Sequence, residues 1–182
     1  MNALTRRQWG LAAGAGVLAL GAGAWMRGRD GAGVAEAAQP APAAGASPLP
    51  APIKTLDGRT LSAADLNGRA VILNFWAPWC PPCVREMPEL DRFSRSPAGR
   101  GVLVIGLAID EQPAVEKFLA AHPVSFPISV LGYSGLSWVR QLSQDSNTAL
   151  PFSAAFDRSK KLVRRKFGAT DTAELEAWAK QF

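Results

Sequence analysis

Cys80-Pro81-Pro82-Cys83 holds both cysteines of the chain, and only one histidine stands elsewhere. Two cysteines three positions apart at the start of a helix close a disulfide with little backbone movement. The first then lies at the helix N-terminus, where the partial positive charge of the backbone favours thiolate over thiol. The second lies one turn inside and can attack a mixed disulfide formed on the first. Attack, mixed disulfide and resolution require this geometry and little else. Two other readings exist for such a pair. Half of a metal site lacks its second half here, because two cysteines and one histidine cannot supply four zinc ligands. A static disulfide would not need a place directly after a buried strand and at a helix start. That place is where ligand and redox sites of α/β folds lie.

The elements that must position the pair follow from hydrophobic patterning. Ala70 to Phe75 is a continuous apolar run of strand length, as expected for a strand buried on both faces. Cys83 to Phe93 reads as a helix, with Val84, Met87 and Leu90 on one face, and Val102 to Ile109 as a second buried strand. Pro113 to Ala121 reads as a helix with proline in its first turn, and Leu136 to Leu142 as a further helix. Ile53 to Leu56 and Thr60-Leu61 flank Asp57-Gly58 as a hairpin, followed by a short helix capped by Ser62 with Asp65. Phe152 to Phe156 and Leu162 to Phe167 form a second hairpin. Asp171 with Glu174 opens a last helix bearing Leu175, Trp178, Ala179 and Phe182. Strand, helix, strand, helix, hairpin and helix make an α/β sandwich with a mixed sheet.

The run Asn74-Phe75-Trp76-Ala77-Pro78-Trp79-Cys80-Pro81-Pro82-Cys83, continued by Val84-Arg85-Glu86-Met87-Pro88, resembles the active site of the thioredoxin superfamily. More narrowly it is similar to the exported or membrane-anchored TlpA/ResA-like thiol-disulfide oxidoreductases, over nearly all of residues 51–182. The resemblance implies a thioredoxin-like fold: a central mixed β-sheet flanked by helices, with an N-terminal β-hairpin and a helical insertion near 113–122. It implies that Cys80 is the nucleophile, that Cys83 is the resolving cysteine, and that the two form a redox disulfide. Pro151 matches the cis-proline that faces the disulfide, and Leu150 stands beside it where an extended substrate segment would pair. Read from the residues alone, Leu150-Pro151 is an ordinary trans bond, and only the resemblance reverses this. Where cytoplasmic thioredoxins place a buried Asp, this chain has Asn74, which exchanges no protons. Glu86 matches the acidic residue that ResA-like proteins keep beside the cysteines. Three residues on from Cys83 it shares that cysteine's helix face, and with a raised pKa it would pass protons to and from the thiols. The alternative is a solvated glutamate paired with Arg85 or a neighbour.

Pro81 and Pro82 have no N–H, which removes two backbone donors that would stabilise a thiolate on Cys80. Fewer donors imply a less stabilised reduced form and a lower reduction potential. The expected activity is therefore reduction of disulfides, by a pair nearer thioredoxin than DsbA. Disulfide introduction by an oxidase is the nearest alternative. A peroxiredoxin-like peroxidase would need Thr or Ser two residues before Cys80, where Pro78 stands. A copper-binding chaperone would add Met or His ligands, and only Met87 is near. Trp76 and Trp79 flank the pair as packing or as a substrate platform, with Trp79 the expected surface contact. No cofactor and no metal is expected.

Composition agrees with one domain and a tail. The chain has 182 residues, 48% of them hydrophobic, which excludes a fully disordered polymer. Residues 10–52 are dominated by Ala, Gly and Pro and cannot bury enough apolar area to offset their ordering entropy. Arg6-Arg7 followed by the uncharged stretch Gly10–Met26 reads as an export signal or membrane anchor over 1–37, of Tat or Sec type. Residues 38–52 then form a Pro/Ala-rich linker and 53–182 the thioredoxin-like domain. The expected location is the periplasm, with or without attachment to the inner membrane. The expected partners are disulfides of exported proteins and a membrane thiol-disulfide electron donor, with cytochrome c haem-site or copper-site cysteines as the substrates the family suggests. The net charge of +5 does not argue for nucleic acid. Six basic residues within 158–166 read as a charged guard on an edge hairpin, with a dock for an acidic partner or for anionic headgroups as the alternative. His122 reads as the end of a helix.

Overall fold

A computed structural model describes Leu49 and residues 52–182. The export segment expected over 1–37, and all of the 38–52 linker except Leu49 and Pro52, lie outside the described residues. No helix among the described residues is long and apolar enough to cross a membrane.

The chain starts with a small antiparallel hairpin, β1 (Ile53–Lys54) and β2 (Thr60–Leu61), closed through Gly58 at φ 82°. Helix α1 (Ala63–Leu66) follows with the capping box expected from Ser62 and Asp65. Two seven-residue strands then lie side by side, β3 (Ala70–Trp76) and β4 (Val102–Ala108), every residue of both buried. They run parallel, so the chain must cross over between them, and α2 (Pro81–Arg95) makes that crossing. Helix α3 (Gln112–Ala121) leads to β5 (Ile128–Val130), which pairs parallel with β4. This three-residue strand is absent from the sequence-based expectation. Helix α4 (Leu136–Ser143), the antiparallel pair β6 (Phe152–Phe156) and β7 (Leu162–Phe167), and α5 (Thr172–Ala179) complete the fold. The sheet order is β5-β4-β3-β6-β7, a mixed five-stranded sheet.

The pleat of β3 sorts its side chains onto two cores. Ala70, Ile72 and Trp76 pack with Met87, Leu90 and Phe93 of α2, Val115 of α3, and Leu175 and Trp178 of α5. Val71, Leu73 and Phe75 pack with Trp138, Val139 and Leu142 of α4. Leu49, within the expected linker, is 6% exposed and joins this second core. Asn74 is the one polar residue of β3, and alternation places it on the α2 side.

The edges of the sheet are managed by neighbours. Leu56 N–H donates to the Ile128 carbonyl at 2.8 Å, so the strand expected to run to Leu56 instead turns onto the β5 edge. On the other edge, part of the basic cluster of 158–166 bonds to neighbouring elements, while Arg158, Lys161, Arg164 and Arg165 remain exposed. Lys160 reaches the carbonyls of Leu66 and Arg69, Arg165 donates to Leu142 O at 2.6 Å, and Lys166 pairs with Glu174. The Glu174 carboxylate is thus held by Lys166, while Asp171 caps α5 by accepting from Glu174 N–H at 2.8 Å. His122 ends α3 as expected and stacks on Phe118.

Candidate active site

Strand β3 stops at Trp76, and the chain turns through Ala77–Cys80, closed by Cys80 N–H donating to Ala77 O at 3.1 Å. Helix α2 begins at Pro81 with Cys80 as its N-cap residue in extended conformation. The helix therefore starts two residues before the expected Cys83, because the N–H that a proline lacks would have no intrahelical partner in the first turn. Cys80 and Cys83 are joined as a disulfide with Cα atoms 5.3 Å apart. Cys83 is fully buried and Cys80 is 4% exposed, so the sulfur on the helix terminus is the more accessible one.

The donor arrangement around Cys80 is sparse. Pro81 and Pro82 offer no N–H, and Val84 N–H is used by Cys80 O at 3.1 Å. The one first-turn amide that reaches Cys80 Sγ is that of Cys83, at 3.4 Å.

The two tryptophans separate. Trp76 is fully buried, its ring 5.2 Å from that of Phe118. It is seated over Gly106, where a Cβ would stand 3.2 Å from Trp76 Nε1 and 2.5 Å from Ile128 Cδ1. Trp79 is 58% exposed, which makes it the surface aromatic of the pair. The Leu150-Pro151 bond is cis. Phe152, the next residue, pairs with Phe75, so Pro151 lies at the same end of the sheet as the Ala77–Cys80 turn.

Glu86 is buried, with 1% exposure, one helical turn on from Cys83. It is not the solvated partner of Arg85. Its Oε1 accepts from Thr170 N–H at 2.8 Å and from the Thr170 hydroxyl, and its Oε2 accepts from Asn74 Nδ2 at 3.1 Å. Burial pushes the Glu86 carboxyl above its ordinary range, because the charged form loses water. The hydrogen bonds from Thr170 and Asn74, and the charge of Lys166, oppose that rise. Asn74 Nδ2 also donates to Ser153 Oγ at 3.1 Å, and Ser153 is the register partner of Asn74 on β6. Asn74 Oδ1 and Trp76 Nε1 are buried without a hydrogen-bond partner.

Sequence reasoning singles out Cys80, Cys83, Glu86, Asn74, Trp76, Trp79, Pro81, Pro82, Leu150 and Pro151. The fold brings all of them to one end of β3 and the start of α2. Sequence reasoning misses Ser153 and Thr170. Ser153 carries one faint signal, as the polar residue in an apolar strand, matching the polar break at Asn74. Thr170 carries none, since its 84-residue separation from Glu86 is bridged only by the tertiary fold. Among the described residues no three His, Cys, Asp or Glu side chains gather as a metal-holding group.

A cysteine pair at the N-terminus of a helix, next to a buried carboxyl, is equipped for dithiol–disulfide exchange coupled to proton transfer. Comparison with known proteins agrees. The Redoxin family matches residues 36–179. Thiol-disulfide oxidoreductase ResA of Bacillus cereus is 30% identical over 127 residues, 69% of this chain and 70% of that protein. Sporulation thiol-disulfide oxidoreductase A of Bacillus subtilis (strain 168) is 28% identical over 169 residues, 91% of this chain and 94% of that one. Among solved structures, a thioredoxin-family thiol:disulfide interchange protein from Chlorobium tepidum TLS aligns at TM-score 0.62 and 30% identity, covering 76% of this chain and 98% of that chain. StoA from Bacillus subtilis aligns at TM-score 0.58 and 25% identity, covering 69% and 92%. The chain belongs to the Redoxin family and is a TlpA/ResA-like thiol-disulfide oxidoreductase of the thioredoxin superfamily.

Proposed function

We propose that the protein reduces disulfides of exported proteins through a Cys80/Cys83 dithiol–disulfide cycle. Cys80 thiolate attacks one sulfur of the target disulfide. A Cys80–target bond forms, and the second target sulfur leaves as a thiolate. Cys83 then attacks Cys80 Sγ, closing the Cys80–Cys83 disulfide and expelling the first target sulfur. The target gains two electrons and the pair loses two. Glu86 takes the Cys83 proton as that thiol becomes a nucleophile. Trp79 offers an exposed aromatic face to the target, and Leu150-Pro151 borders the segment around its disulfide. A membrane thiol-disulfide partner returns the pair to the dithiol. Residues 1–37 direct export or anchor the chain, and 38–52 space the domain from the membrane on the periplasmic side. Haem-site cysteines of apocytochrome c or copper-site cysteines are the substrate class that relatives of this kind suggest.

The observation that carries the reductive direction is the single first-turn amide at Cys80 Sγ, left by two successive prolines. A thiolate with few donors is less stabilised, and the dithiol form is the stronger reductant for it. The test is the reduction potential of the couple, read from tryptophan fluorescence during titration against dithiothreitol or glutathione. The expected value lies near thioredoxin's, about −270 mV, or below. A value near DsbA's, about −120 mV, would make the protein an oxidant and overturn the reading.

A further inference from the structure

The hydrogen bonds around Glu86 all point one way. Thr170 N–H, Thr170 Oγ1 and Asn74 Nδ2 donate, and both carboxylate oxygens accept. This set suits a charged carboxylate. A group that exchanges protons in a dry site must also be satisfied when neutral, since an unmatched buried polar group costs on the order of 1–3 kcal/mol. Thr170 N–H can only donate, so Oε1 stays an acceptor and an incoming proton belongs on Oε2. That oxygen faces Asn74, whose Nδ2 cannot accept. The same Asn74 side chain, however, is fully buried and carries a carbonyl Oδ1 with no partner. Its second neighbour, Ser153 Oγ, accepts from Nδ2 at 3.1 Å and, as a hydroxyl, can equally donate.

We propose that Asn74 and Ser153 are positioning residues that form a reversible relay for Glu86, the Asn74 amide turning end for end as Glu86 gains or loses its proton. With Glu86 ionised, Nδ2 donates to Oε2 and to Ser153. With Glu86 protonated, Oδ1 accepts from Oε2–H and from the Ser153 hydroxyl, while Nδ2 takes the place that Oδ1 holds without a partner, so one end of the amide is unmatched in either state. During resolution the Cys83 S–H bond breaks and its proton forms the Oε2–H bond, while the Cys83 electron pair attacks Cys80 Sγ, breaking the Cys80–target bond so that the target sulfur leaves as a thiolate. The target disulfide is the oxidant. An aspartate at 74 would add a second charge to the site, whereas an amide changes polarity with no net charge. The charged group that bears on Glu86 from a neighbouring element is Lys166 of β7, itself paired with Glu174 of α5, and Cys83 precedes Glu86 by three residues on α2.

This inference rests on Glu86 being the proton-exchanging group, and the test separates the two. In the oxidised full-length chain, the Glu86 side-chain carboxyl carbon and the Asn74 side-chain amide are followed by NMR between about pH 4 and pH 9. The expected result is one shared midpoint. The amide protons contact Glu86 and Ser153 side-chain protons above it and lose those contacts below it. A Glu86 titration with unchanged Asn74 contacts overturns the relay and leaves the proton role standing. Absence of any Glu86 titration in that range overturns both. Asn74→Leu gives a second reading. If Asn74 serves only as a donor to the carboxylate, its loss raises the Glu86 midpoint by about one pH unit or more. If it serves both states, each loses one bond and the midpoint moves by less than about half a unit. Should Asn74→Leu fail to fold, the contacts in the unaltered chain decide.

Discussion

The two faces of the sheet differ in what they bury. On the α4 side the core is apolar throughout: Val71, Leu73 and Phe75 of β3 meet Phe152, Ala154 and Phe156 of β6 and Trp138, Val139 and Leu142 of α4. On the α2 side the same strands contribute Asn74 and Ser153, and the helix adds Glu86 and the disulfide. Because the pleat separates the two sets by alternation, one strand serves both purposes without mixing them. The dry face supplies stability through burial. The polar face accepts the cost of enclosing a carboxyl, and that cost gives Glu86 a proton affinity it would not have in water. The division predicts that changes on the two faces will be read by different experiments.

The largest effect belongs to the pair itself. Cys80→Ser is expected to lower disulfide reductase activity by at least about three orders of magnitude, because no second thiol occupies the accessible position. Cys83→Ser should retain the first attack and accumulate mixed disulfides with targets, visible as thiol-sensitive adducts on non-reducing gels. An active Cys80→Ser protein would remove the chemistry from this face altogether.

Next comes the dry face. Phe156 is fully buried against β3, and Phe156→Ala should destabilise the fold by about 3–5 kcal/mol in urea denaturation. Leu49→Ala should cost about 2 kcal/mol or more, although Leu49 lies in a stretch that reads as linker. Neither change should move the reduction potential of the folded protein. A shift in potential with either would show that the two faces are not independent.

The same division explains what was legible beforehand. The Cys80–Cys83 pair is local in sequence, and its strand–turn–helix setting follows from an apolar run and a pair of prolines. Leu175 and Trp178 repeat at helical spacing and are both in the core. Pro151 could be assigned cis only through family resemblance, since nothing local distinguishes it from a trans proline. Strand β5 escaped because three residues show no periodicity. It is a strand only because β4 offers it an edge, with Leu131 N–H bonding Ala108 O at 2.9 Å. Leu49 escaped because a single apolar residue among Pro and Ala has no pattern. Ser153 and Thr170 meet Asn74 and Glu86 across 79 and 84 residues, so their role exists only once the sheet and the β7–α5 connection are formed.

A smaller effect should follow from Glu86 through pH. Its carboxyl is raised above the unfolded value of 4.5, so the folded protein holds an extra proton in the window from 4.5 up to that raised value. Stability must therefore fall as pH rises through this window, with a slope approaching about 1.4 kcal/mol per pH unit. Glu86→Gln should flatten that fall, as measured by urea denaturation of the oxidised form at a series of pH values. An unchanged slope would assign the dependence to another group.

The smallest effect tests the prolines, and it acts on the polar face alone. Pro81→Ala or Pro82→Ala restores one backbone N–H in the first turn of α2 without touching either core, since Pro81 is exposed and Pro82 only partly buried. A new donor near Cys80 Sγ joins the Cys83 amide now 3.4 Å away. It should stabilise the thiolate more than the disulfide, because the charged sulfur is the better acceptor. Lowering the Cys80 pKa by up to about one unit corresponds to about 1.4 kcal/mol, and for this two-electron couple to a potential raised by up to about 30 mV. The two readouts, thiolate absorbance against pH and the equilibrium with glutathione, must move together. If the potential rises while the Cys80 pKa stays fixed, the added alanine has changed the disulfide rather than the thiolate. The reductive poise would then have to come from the helix terminus as a whole instead of from two missing amides.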